Sequence, residues 1–332
     1  MKAVVLVGGQ GTRLRPLTLT TPKQMLPVAG RPMIERVLAQ LSRHGIDEVV
    51  LSLGYRPDAF LAAYPDGECA GVGLRYAVEP EPRDTAGGIA FAARCAGLDE
   101  AFVVQNGDVL TNLDVTALIA FHRDRGAEAT IALTPVADPS RYGVVATDAR
   151  GWVTAFIEKP PPGSAPSNLI NAGTYICQPE LLDRIPAGRP VSIERETFPA
   201  LVRDASLLAL GSGADWIDAG TVATYLEANL AAAGREGCWI DAGADVHPGA
   251  TVQGSIVAAH AVVADGALVE RALVMAGARV GRGAVIRDSI VGAGAVVGEG
   301  AVVEALSVLG DDCAVEAGSV LSGRPFPTPT AV

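Results

Sequence analysis

The stretch AVVLVGGQGTRL at residues 3–14 runs from a short apolar segment directly into closely spaced glycines. Its first five residues have the length and aliphatic content of a buried β-strand. Closely spaced glycines let a backbone approach a phosphate, and successive N–H groups can form an anion-binding nest. Arg13 lies inside the loop and Lys23 follows it. Two cations beside such a nest fit a triphosphate. The residues of this loop predicted to bind nucleotide are Gly8, Gly9, Gly11, Thr12 and Arg13.

Two common phosphate-binding motifs do not describe this loop. A dinucleotide fingerprint needs a third glycine where this chain has Leu14, and a Walker loop needs Gly-Lys followed by Ser or Thr. The loop is therefore a glycine-rich turn of another class.

Up to about residue 232, short β runs alternate with amphipathic helices. The predicted strands are residues 3–7, 48–53, 74–78 and 101–105, and the predicted helices are residues 33–41, 86–96 and 114–125. This βαβ pattern predicts a mostly parallel, doubly wound sheet. Ligands of such sheets bind outside the carboxyl ends of the strands, so the residues directly after each strand are the candidates for chemistry.

After Trp239 the pattern changes to small aliphatic residues at every sixth position. The predicted inward positions are Ile240, Val246, Val252, Ile256, Val262, Leu268, Val274, Val280, Ile286, Ile290, Val296, Val302, Val308 and Val320. A period of six fits neither a helix nor an ordinary strand. It predicts a triangular solenoid in which one residue of each face points inward.

The bulk composition limits the compartment and the partners. A length of 332 residues favours two domains, and a formal net charge of −11 argues against a nucleic-acid partner. The five cysteines are scattered, which predicts reduced thiols. No segment resembles a signal peptide or a membrane span. We therefore expect a soluble, cytoplasmic protein with neither a membrane nor a nucleic-acid partner.

Six motifs, taken together, carry a resemblance to a known family. They are residues 7–18 together with the Pro22-Lys23 and Leu26-Pro27 pairs, Asn106-Gly107-Asp108, residues 142–145, Glu158-Lys159-Pro160, residues 171–175 and residues 216–220. In this order and spacing they resemble the signature of the sugar-1-phosphate nucleotidyltransferases. With the repeat tail, the pattern is most similar to the mannose-1-phosphate guanylyltransferases that carry a C-terminal β-helix.

The resemblance implies a fold and three regions. Residues 1–234 are expected to form the catalytic domain, an α/β fold with a Rossmann-like, doubly wound, mostly parallel sheet. Residues 235–323 are expected to form a left-handed parallel β-helix of hexapeptide repeats, and residues 324–332 an extended tail. The β-helix is also expected to mediate homo-oligomer formation, because solenoids expose flat faces.

The family's reaction is attack by a sugar-phosphate oxygen on the α-phosphorus of a nucleoside triphosphate, which expels pyrophosphate. By the resemblance, Arg13 neutralises the triphosphate and Lys23 contacts phosphate near the attacked centre. Lys159 is implied to bind the sugar phosphate and Glu158 the sugar hydroxyls, with Gly143 and Asn171 lining the same pocket.

Two aspartates are predicted to hold Mg²⁺. Asp108 follows the predicted strand 101–105, where a hard carboxylate suits magnesium, although Asn-Gly-Asp is also a common turn. The resemblance makes Asp218 the second metal-binding carboxylate. By its local sequence, Asp218 could equally cap a helix that begins near Thr221.

The segment 79–88 occupies the position of base recognition in the family. Thr85 and Gly87 belong to a Thr-Ala-Gly form that is similar to guanylyltransferases, but Arg83-Asp84 replaces the frequent Leu-Gly. Glu79 could accept from a guanine N–H edge, or it could be a solvated charge at a strand end. The expected reaction is GTP with mannose 1-phosphate, giving GDP-mannose. The alternative is a thymidylyl- or adenylyltransferase for glucose 1-phosphate or another hexose or cyclitol phosphate.

Two other classes of protein are alternatives to this prediction. A non-catalytic regulatory subunit of the same fold would be favoured by loss of Arg13, Lys23, Asp108, Lys159 or Asp218, and all five are present. A β-helix acyltransferase would need a histidine base, and the repeats offer only His247 and His260, both within repeat positions. His44 and His122 are expected to be structural.

Overall fold

The computed structural model describes residues 1–234 and 237–328, and a ten-stranded mixed sheet forms the core of its N-terminal part. The strands up to residue 218 are β1 (Lys2–Leu6), β2 (Pro27–Val28), β3 (Arg31–Pro32), β4 (Glu48–Leu53), β5 (Glu68–Cys69), β6 (Val72–Val78), β7 (Phe102–Asn106), β8 (Val109–Thr111), β9 (Ala129–Pro135), β10 (Gly143–Thr147), β11 (Val153–Glu158), β12 (Leu169–Cys177), β13 (Leu207–Gly211) and β14 (Trp216–Asp218). The order in the sheet is β11-β10-β12-β7-β1-β4-β6-β5, with β9 paired to β12 and β13 paired to β9.

One half of the sheet is the predicted parallel fold. The strands β7, β1, β4 and β6 are all parallel, with Val4 of β1 opposite both Val104 and Val50. Ala3, Val4 and Val5 are all fully buried, because such strands are covered on both faces, and this explains why their sequence is apolar throughout. The expectation of a doubly wound sheet is confirmed.

The other half of the sheet is mostly antiparallel, although β13 at its far side runs parallel to β9. β12 runs against β7, β10 runs against β12, and β11 runs against β10. The short link after β10 requires this direction, because parallel neighbours need a long crossover. In that link Asp148 accepts hydrogen bonds from the backbone of Arg150 and Trp152, which closes a tight turn.

The helices are α1 (Met33–Arg43), α2 (Pro57–Ala63), α3 (Asp84–Ala96), α4 (Val115–Arg123), α5 (Phe198–Arg203) and α6 (Val222–Ala232). The three predicted helices, α1, α3 and α4, lie close to their predicted positions, whereas α2 and α5 were not predicted. α4 begins where Asp114 accepts a hydrogen bond from the Ala117 N–H, the usual N-cap arrangement. Within the described residues, none of the helices has the length and apolar content to cross a bilayer.

The C-terminal strands form three parallel sheets, consistent with a left-handed β-helix. They are β15 (Trp239–Ile240), β16 (Asp245–Val246), β17 (Thr251–Gln253), β18 (Ile256–Val257), β19 (Val262–Val263), β20 (Leu268–Glu270), β21 (Leu273–Val274), β22 (Arg279–Val280), β23 (Val285–Arg287), β24 (Ile290–Val291), β25 (Val296–Val297), β26 (Val302–Glu304), β27 (Val308–Leu309), β28 (Ala314–Val315), β29 (Val320–Ser322) and β30 (Pro325–Phe326). Each strand pairs with the third strand after it along the chain, as β15 does with β18. Each of the three sheets is therefore one face of a triangular coil.

The coil length differs from a strict multiple of six. Ile256 pairs with Leu273 and Leu273 pairs with Ile290, which places successive coils 17 residues apart. Up to residue 291 the inward residues consequently follow steps of six, six and five, whereas the coil from Ile290 to Val308 has 18 residues. Val257 and Val291 point inward and are fully buried. The predicted inward positions were therefore wrong by one residue at 256–268 and at every predicted position from 290 onwards, where Leu309 and Leu321 take the places expected for Val308 and Val320.

Packing divides the chain into two compact units. The first is Met1–Gly9 with Ile34–Trp216, and the second is Gln10–Met33 with Ile217–Val332 as far as the structure describes it. The domain boundaries expected at 234 and 323 remain predictions. Pro325–Phe326 pair with Val308–Leu309, so the expected tail begins as a strand of the β-helix, while residues 329–332 lie outside the described residues.

Candidate active site

Three of the predicted residues lie side by side along one edge of the first unit. Gly8, Glu79 and Asp108 follow the strands β1, β6 and β7, which are parallel and belong to the same half of the sheet. The Gly107 N–H donates to the Leu6 carbonyl at 2.9 Å, which ties the turn holding Asp108 to the end of β1. This is the carboxyl edge of the sheet, where α/β folds bind ligands.

The first glycines of the loop leave this edge open. A Cβ on Gly54 would lie 3.1 Å from the Gly8 carbonyl oxygen, so the ends of β1 and β4 can approach only as glycines. Gly9 is exposed and has no heavy atom within 4 Å of its Cβ position. The space next to the Gly9 Cα is therefore open to a ligand.

Glu79 is held by its own neighbours. Its Oε1 accepts from the Ser52 hydroxyl at 2.8 Å, and its Oε2 accepts from the Arg83 N–H at 3.1 Å. The interpretation as a solvated strand-end charge does not describe this carboxylate. It faces Gly88, whose Cβ position lies 2.8 Å from Oε1.

Thr85 and Gly87 fasten the first turn of α3 to the segment 189–194. The Thr85 hydroxyl donates to Glu194 and accepts from the Ile193 N–H, both at 2.8 Å. Gly87 lies against Arg83, whose Cβ is 2.9 Å from the Cβ position of the glycine. The Thr85 hydroxyl is thus bonded within the protein, so any base contact of this turn would come from its backbone.

The residues predicted to bind the sugar form one row across three neighbouring strands. Gly143 of β10 is the cross-strand partner of Glu158 of β11. Val144 pairs with Ile170, and one step further in this antiparallel register Gly143 lies opposite Asn171 of β12. A Cβ on Gly143 would lie 2.6 Å from the Phe156 ring and 3.1 Å from Glu158 Oε2, so only glycine leaves the space beside this carboxylate.

Asn171 lies at a bulge in β12. The register of β12 against β9 shifts between Asn171 and Tyr175, and Gly173 in the bulge has φ +73°. Bulges of this kind redirect side chains next to active sites. Asn171 donates to the Tyr175 hydroxyl and accepts from the Gly173 N–H, each at 2.9 Å. These bonds leave one amide hydrogen and one carbonyl lone pair for a ligand.

Aromatic residues beside this row were not predicted. The Trp216 indole N–H donates to the Ala172 carbonyl in the bulge at 2.9 Å, and the Trp216 ring meets Tyr142 edge-on at 5.5 Å. Both residues stand within motifs quoted above, and a glycine inside a strand pattern is itself a signal of a bulge.

Lys159 has an unusual backbone for a lysine. Its φ is +49°, and its N–H donates to the Tyr142 carbonyl at 3.0 Å. This left-handed conformation is uncommon for residues other than glycine, and such strain clusters at functional sites. The exposed ammonium lies 3.3 Å from Glu158 Oε1, so a sugar phosphate would meet a cation for its phosphate next to an acceptor for a hydroxyl.

The second unit gathers Arg13, Lys23 and Asp218. The Lys23 ammonium lies 3.9 Å from Asp218 Oδ1, and the lysine side chain is only 6% exposed. The Cβ position of Gly220 lies 2.8 Å from Asp218 Oδ1 and 3.0 Å from Arg13 Nη2, which places both charged groups beside this glycine. The unit therefore holds two cations around one carboxylate.

Gly11 shapes the loop that carries Arg13. Its φ is +62°, and a Cβ there would lie 2.9 Å from Thr18 and 3.1 Å from Lys23. The Thr18 hydroxyl donates to the Gly11 carbonyl at 2.7 Å, which fixes the short helical turn of residues 12–14. Thr12, in that turn, is exposed.

The structure bears on the alternative roles of the two candidate metal ligands, Asp218 as a helix cap and Asp108 as a turn residue. The N-cap of α6 is Thr221, which forms a capping box with Thr224, so Asp218 is not the helix cap. Asp108 stands in the turn between β7 and β8, as the alternative interpretation expects, and its role as a metal ligand stays a prediction. Of the histidines, His122 is buried between Thr130 and Gln178, and burial lowers its pKa, as expected for a structural residue.

The chemistry of these carboxylates fits Mg²⁺. The described residues contain no cluster of three or more His, Cys, Asp or Glu that could hold a metal. Magnesium commonly takes one or two protein carboxylates and completes its shell with phosphates and water. Asp108 in the first unit and Asp218 in the second each offer one carboxylate of the kind that such a metal takes.

An α/β sheet with these groups at its carboxyl edge, joined to a β-helix, defines a class of nucleotide-dependent transferases. Residues 2–234 match the family model described as nucleotidyl transferase, and residues 235–326 match the model described as GMPPB C-terminal domain. The chain therefore belongs to the nucleotidyl transferase family. Members of this family typically use a divalent metal.

Similar proteins include one curated relative and two solved structures. The relative is the mannose-1-phosphate guanylyltransferase of Mycobacterium tuberculosis, 45% identical over 221 residues, which cover 66% of this chain and 61% of that protein. A candidate glucose-1-phosphate thymidylyltransferase from Bacillus anthracis, in complex with a sucrose, has a TM-score of 0.64 at 25% identity and covers 70% of this chain and 96% of its own. HddC from Yersinia pseudotuberculosis, complexed with GMP-PN, has a TM-score of 0.58 at 27% identity, with coverages of 69% and 97%.

Proposed function

We propose that this chain joins a nucleoside triphosphate to a sugar 1-phosphate, with GTP and mannose 1-phosphate as its preferred pair. A sugar-phosphate oxygen attacks the α-phosphorus, the bond to the β-phosphate breaks, and GDP-mannose and pyrophosphate are released. The observation that carries the proposal is the group of Arg13, Lys23 and Asp218, which offers two cations and a carboxylate to a polyphosphate.

The choice of GTP and mannose rests on the relatives. The chain is 45% identical to a protein named mannose-1-phosphate guanylyltransferase, although the aligned region spans only 61% of that relative. A structural neighbour was solved with GMP-PN, a guanine nucleotide analogue. In this chain Glu79 supplies a carboxylate at the base-recognition segment, and a carboxylate can accept from a guanine N–H edge.

The triphosphate would bind along the glycine loop. The N–H groups of Gly8, Gly9 and Gly11 and the hydroxyl of Thr12 would surround the phosphates, while Arg13 neutralises the departing pyrophosphate. Lys23 would lie beside the α-phosphate, where charge increases during attack. Such transfer depends on positioning and charge neutralisation more than on covalent help from the protein.

The sugar phosphate would bind on the row described above. Lys159 would pair with its phosphate, which orients the attacking oxygen. Glu158 and Asn171 would bond the sugar hydroxyls, and Gly143 would leave the space for the ring. Asp108 and Asp218 would hold Mg²⁺, and the bound ion would draw charge from the α-phosphate oxygens.

A substrate panel tests the proposal. Pyrophosphate release is measured for GTP, ATP, dTTP and UTP, each with mannose, glucose and galactose 1-phosphate. We expect the highest kcat/KM for GTP with mannose 1-phosphate. A preference for dTTP or ATP of more than about tenfold, roughly 1.4 kcal/mol in transition-state binding, would overturn the base assignment.

The second candidate is a glucose-1-phosphate thymidylyltransferase. It is supported by the structural neighbour from Bacillus anthracis, which has the higher TM-score of the two solved structures. The same panel decides between the two, because the thymidylyltransferase must be most active with dTTP and glucose 1-phosphate.

A further inference from the structure

A cleft of about 340 Å³ lies on the outer side of α3, within the first unit. Its lining residues are Arg83, Gly87, Ala90, Phe91, Arg94, Cys95, Ile185, Pro186, Ala187 and Arg189. The volume is within the range of small-molecule sites. On α3 the members follow helical spacing, so they share one face of the helix.

The charge of this cleft is opposite to that of the chain. Three of its lining residues are arginines and none is acidic, whereas the whole protein has a formal net charge of −11. Arg189 pairs with Glu196 through two hydrogen bonds, which fix its guanidinium and balance its charge. Arg94 donates to the Leu182 carbonyl at 2.6 Å, an uncharged acceptor, so Arg83 and Arg94 supply the positive charge that no lining residue balances. The cleft therefore favours an anion.

Arg83 adds an unsatisfied donor. Its Nε is buried and has no hydrogen-bond acceptor among the residues that the structure describes. Its guanidinium carbon lies 4.9 Å from the centre of the Phe91 ring, a cation–π contact that holds the side chain in place. A buried N–H without an acceptor is costly, and an anionic ligand would supply one.

The cleft is distinct from the nucleotide edge. Gly88 faces the Glu79 carboxylate, whereas Gly87, one residue earlier, faces Arg83 and the backbone of Arg189 and Val191. Successive helix residues point about 100° apart, so the two sites lie on different sides of α3.

We propose that this cleft binds an organic phosphate whose remaining part is planar or apolar. Its phosphate would bond the guanidinium groups of Arg83, Arg94 and Arg189, which suit phosphate oxygens. Its carbon skeleton would lie against Phe91, Ile185 and Pro186. This site is separate from the proposed transfer of a nucleotide and does not depend on it.

Cys95 provides a reporter within the cleft. It is exposed, whereas burial raises the pKa of Cys69 to about 11 and that of Cys177 to about 12. Thiolates are the reactive form, so iodoacetamide at pH 8 is expected to modify Cys95 well before those two. Peptide mass spectrometry follows the alkylation rate of each cysteine separately.

The probe is phenyl phosphate, compared with inorganic phosphate and benzoate at constant ionic strength. We expect phenyl phosphate to slow alkylation of Cys95 at least about threefold, because a ligand excludes the reagent from the surface that it covers. Cys69 should keep its rate. Inorganic phosphate and benzoate should need much higher concentrations to protect Cys95 equally. Inorganic phosphate lacks the apolar contacts, and benzoate lacks the phosphate contacts.

Variants of the cleft complete the experiment. Arg189→Gln and Arg94→Gln should each abolish protection of Cys95 while pyrophosphate release and melting temperature stay near those of the original chain. Arg123→Gln, which removes one exposed charge from α4, should keep the protection. An unchanged Cys95 rate with phenyl phosphate overturns the proposal. Protection that persists in both cleft variants, or equal protection by inorganic phosphate, also overturns it.

Discussion

Lys23 is a buried cation, and burial of a charge is costly unless the surroundings compensate for it. Its partner Asp218 is also next to Arg13, through their shared approach to Gly220. Two cations around one carboxylate carry a formal charge of +1, so the group attracts an anion. Its composition suits a substrate that brings several negative charges and a divalent ion together.

The two aspartates give a prediction at the scale of single residues. If Asp108 and Asp218 hold one Mg²⁺, a neutral amide at either position removes a ligand that it cannot replace. Asp108→Asn and Asp218→Asn should each lower turnover by about a hundredfold or more. The double variant should be little worse than the poorer single one, because both act through the same ion.

Thermal stability is the control for these variants. A ligand role leaves the melting temperature near that of the original chain, or raises it by relieving charge. Nucleotide binding without metal should survive, since the glycine loop is unchanged. Near-normal turnover in well-folded Asp218→Asn would remove this residue from the site.

The sequence motifs single out candidate site residues one at a time, but they do not show which residues lie beside them. The motifs named Gly143, Glu158 and Asn171, yet only the strand register of β10, β11 and β12 shows that they form one row. The bond between Thr85 and Glu194 joins positions 109 residues apart, and no local pattern encodes it. Long-range pairing of this kind depends on how distant parts of the chain pack together, and a local sequence pattern does not determine that.

At the scale of elements, the β-helix shows that a sequence repeat alone does not determine which residue of each strand points inward. Most of its strands contain two adjacent aliphatic residues, such as Ile256-Val257 and Val296-Val297. A period of six fits either member of each pair equally well. The 17-residue coil decides between them, because it requires one step of five in three. Helices such as α1 and α4 can be predicted from the sequence directly, because their apolar faces and caps are local signals.

The inward register of the β-helix can be tested with two neighbouring valines. Val297 is 1% exposed and lies in the core of the coil, whereas Val296 is 39% exposed. Val297→Asp should destabilise the protein by about 3 kcal/mol or more, because it buries an uncompensated charge. Val296→Asp should change the free energy of unfolding by no more than about 0.5 kcal/mol.

Denaturant unfolding of both variants measures the difference. Equal losses, or a larger loss for Val296→Asp, would show that the inward register is the one first expected from the sequence.

At the scale of the whole molecule, one face of the β-helix gives a prediction about assembly. Leu268, Val285, Val302 and Val320 stand in register on the outside of one sheet, and Val320 is 58% exposed. The other three are partly exposed, and an aliphatic row that reaches the surface in this way is a candidate interaction surface. We expect this face to mediate self-association of the full chain, as the solenoid pattern predicts.

The double variant Val302→Lys with Val320→Lys tests this surface. Light scattering should report a lower particle mass than for the original chain, because a charge opposes burial of the row. Val296→Lys, on a different face, is the matched control and should keep the mass. An unchanged mass in the double variant would exclude this row as the interface.

The loop of residues 16–20, which directly follows the glycine-rich turn, rests on the β-helix within the second unit, and this has a consequence for the order of synthesis. The Thr20 hydroxyl donates to Asp311 at 2.9 Å, and Pro16 lies 3.0 Å from the Cβ position of Gly310. Thr20 leaves the ribosome 291 residues before Asp311. At about 5–20 residues per second, the loop waits roughly 15–60 s for the coil that supports it. A nascent chain can therefore complete its ten-stranded sheet while this loop still lacks the coil that supports it.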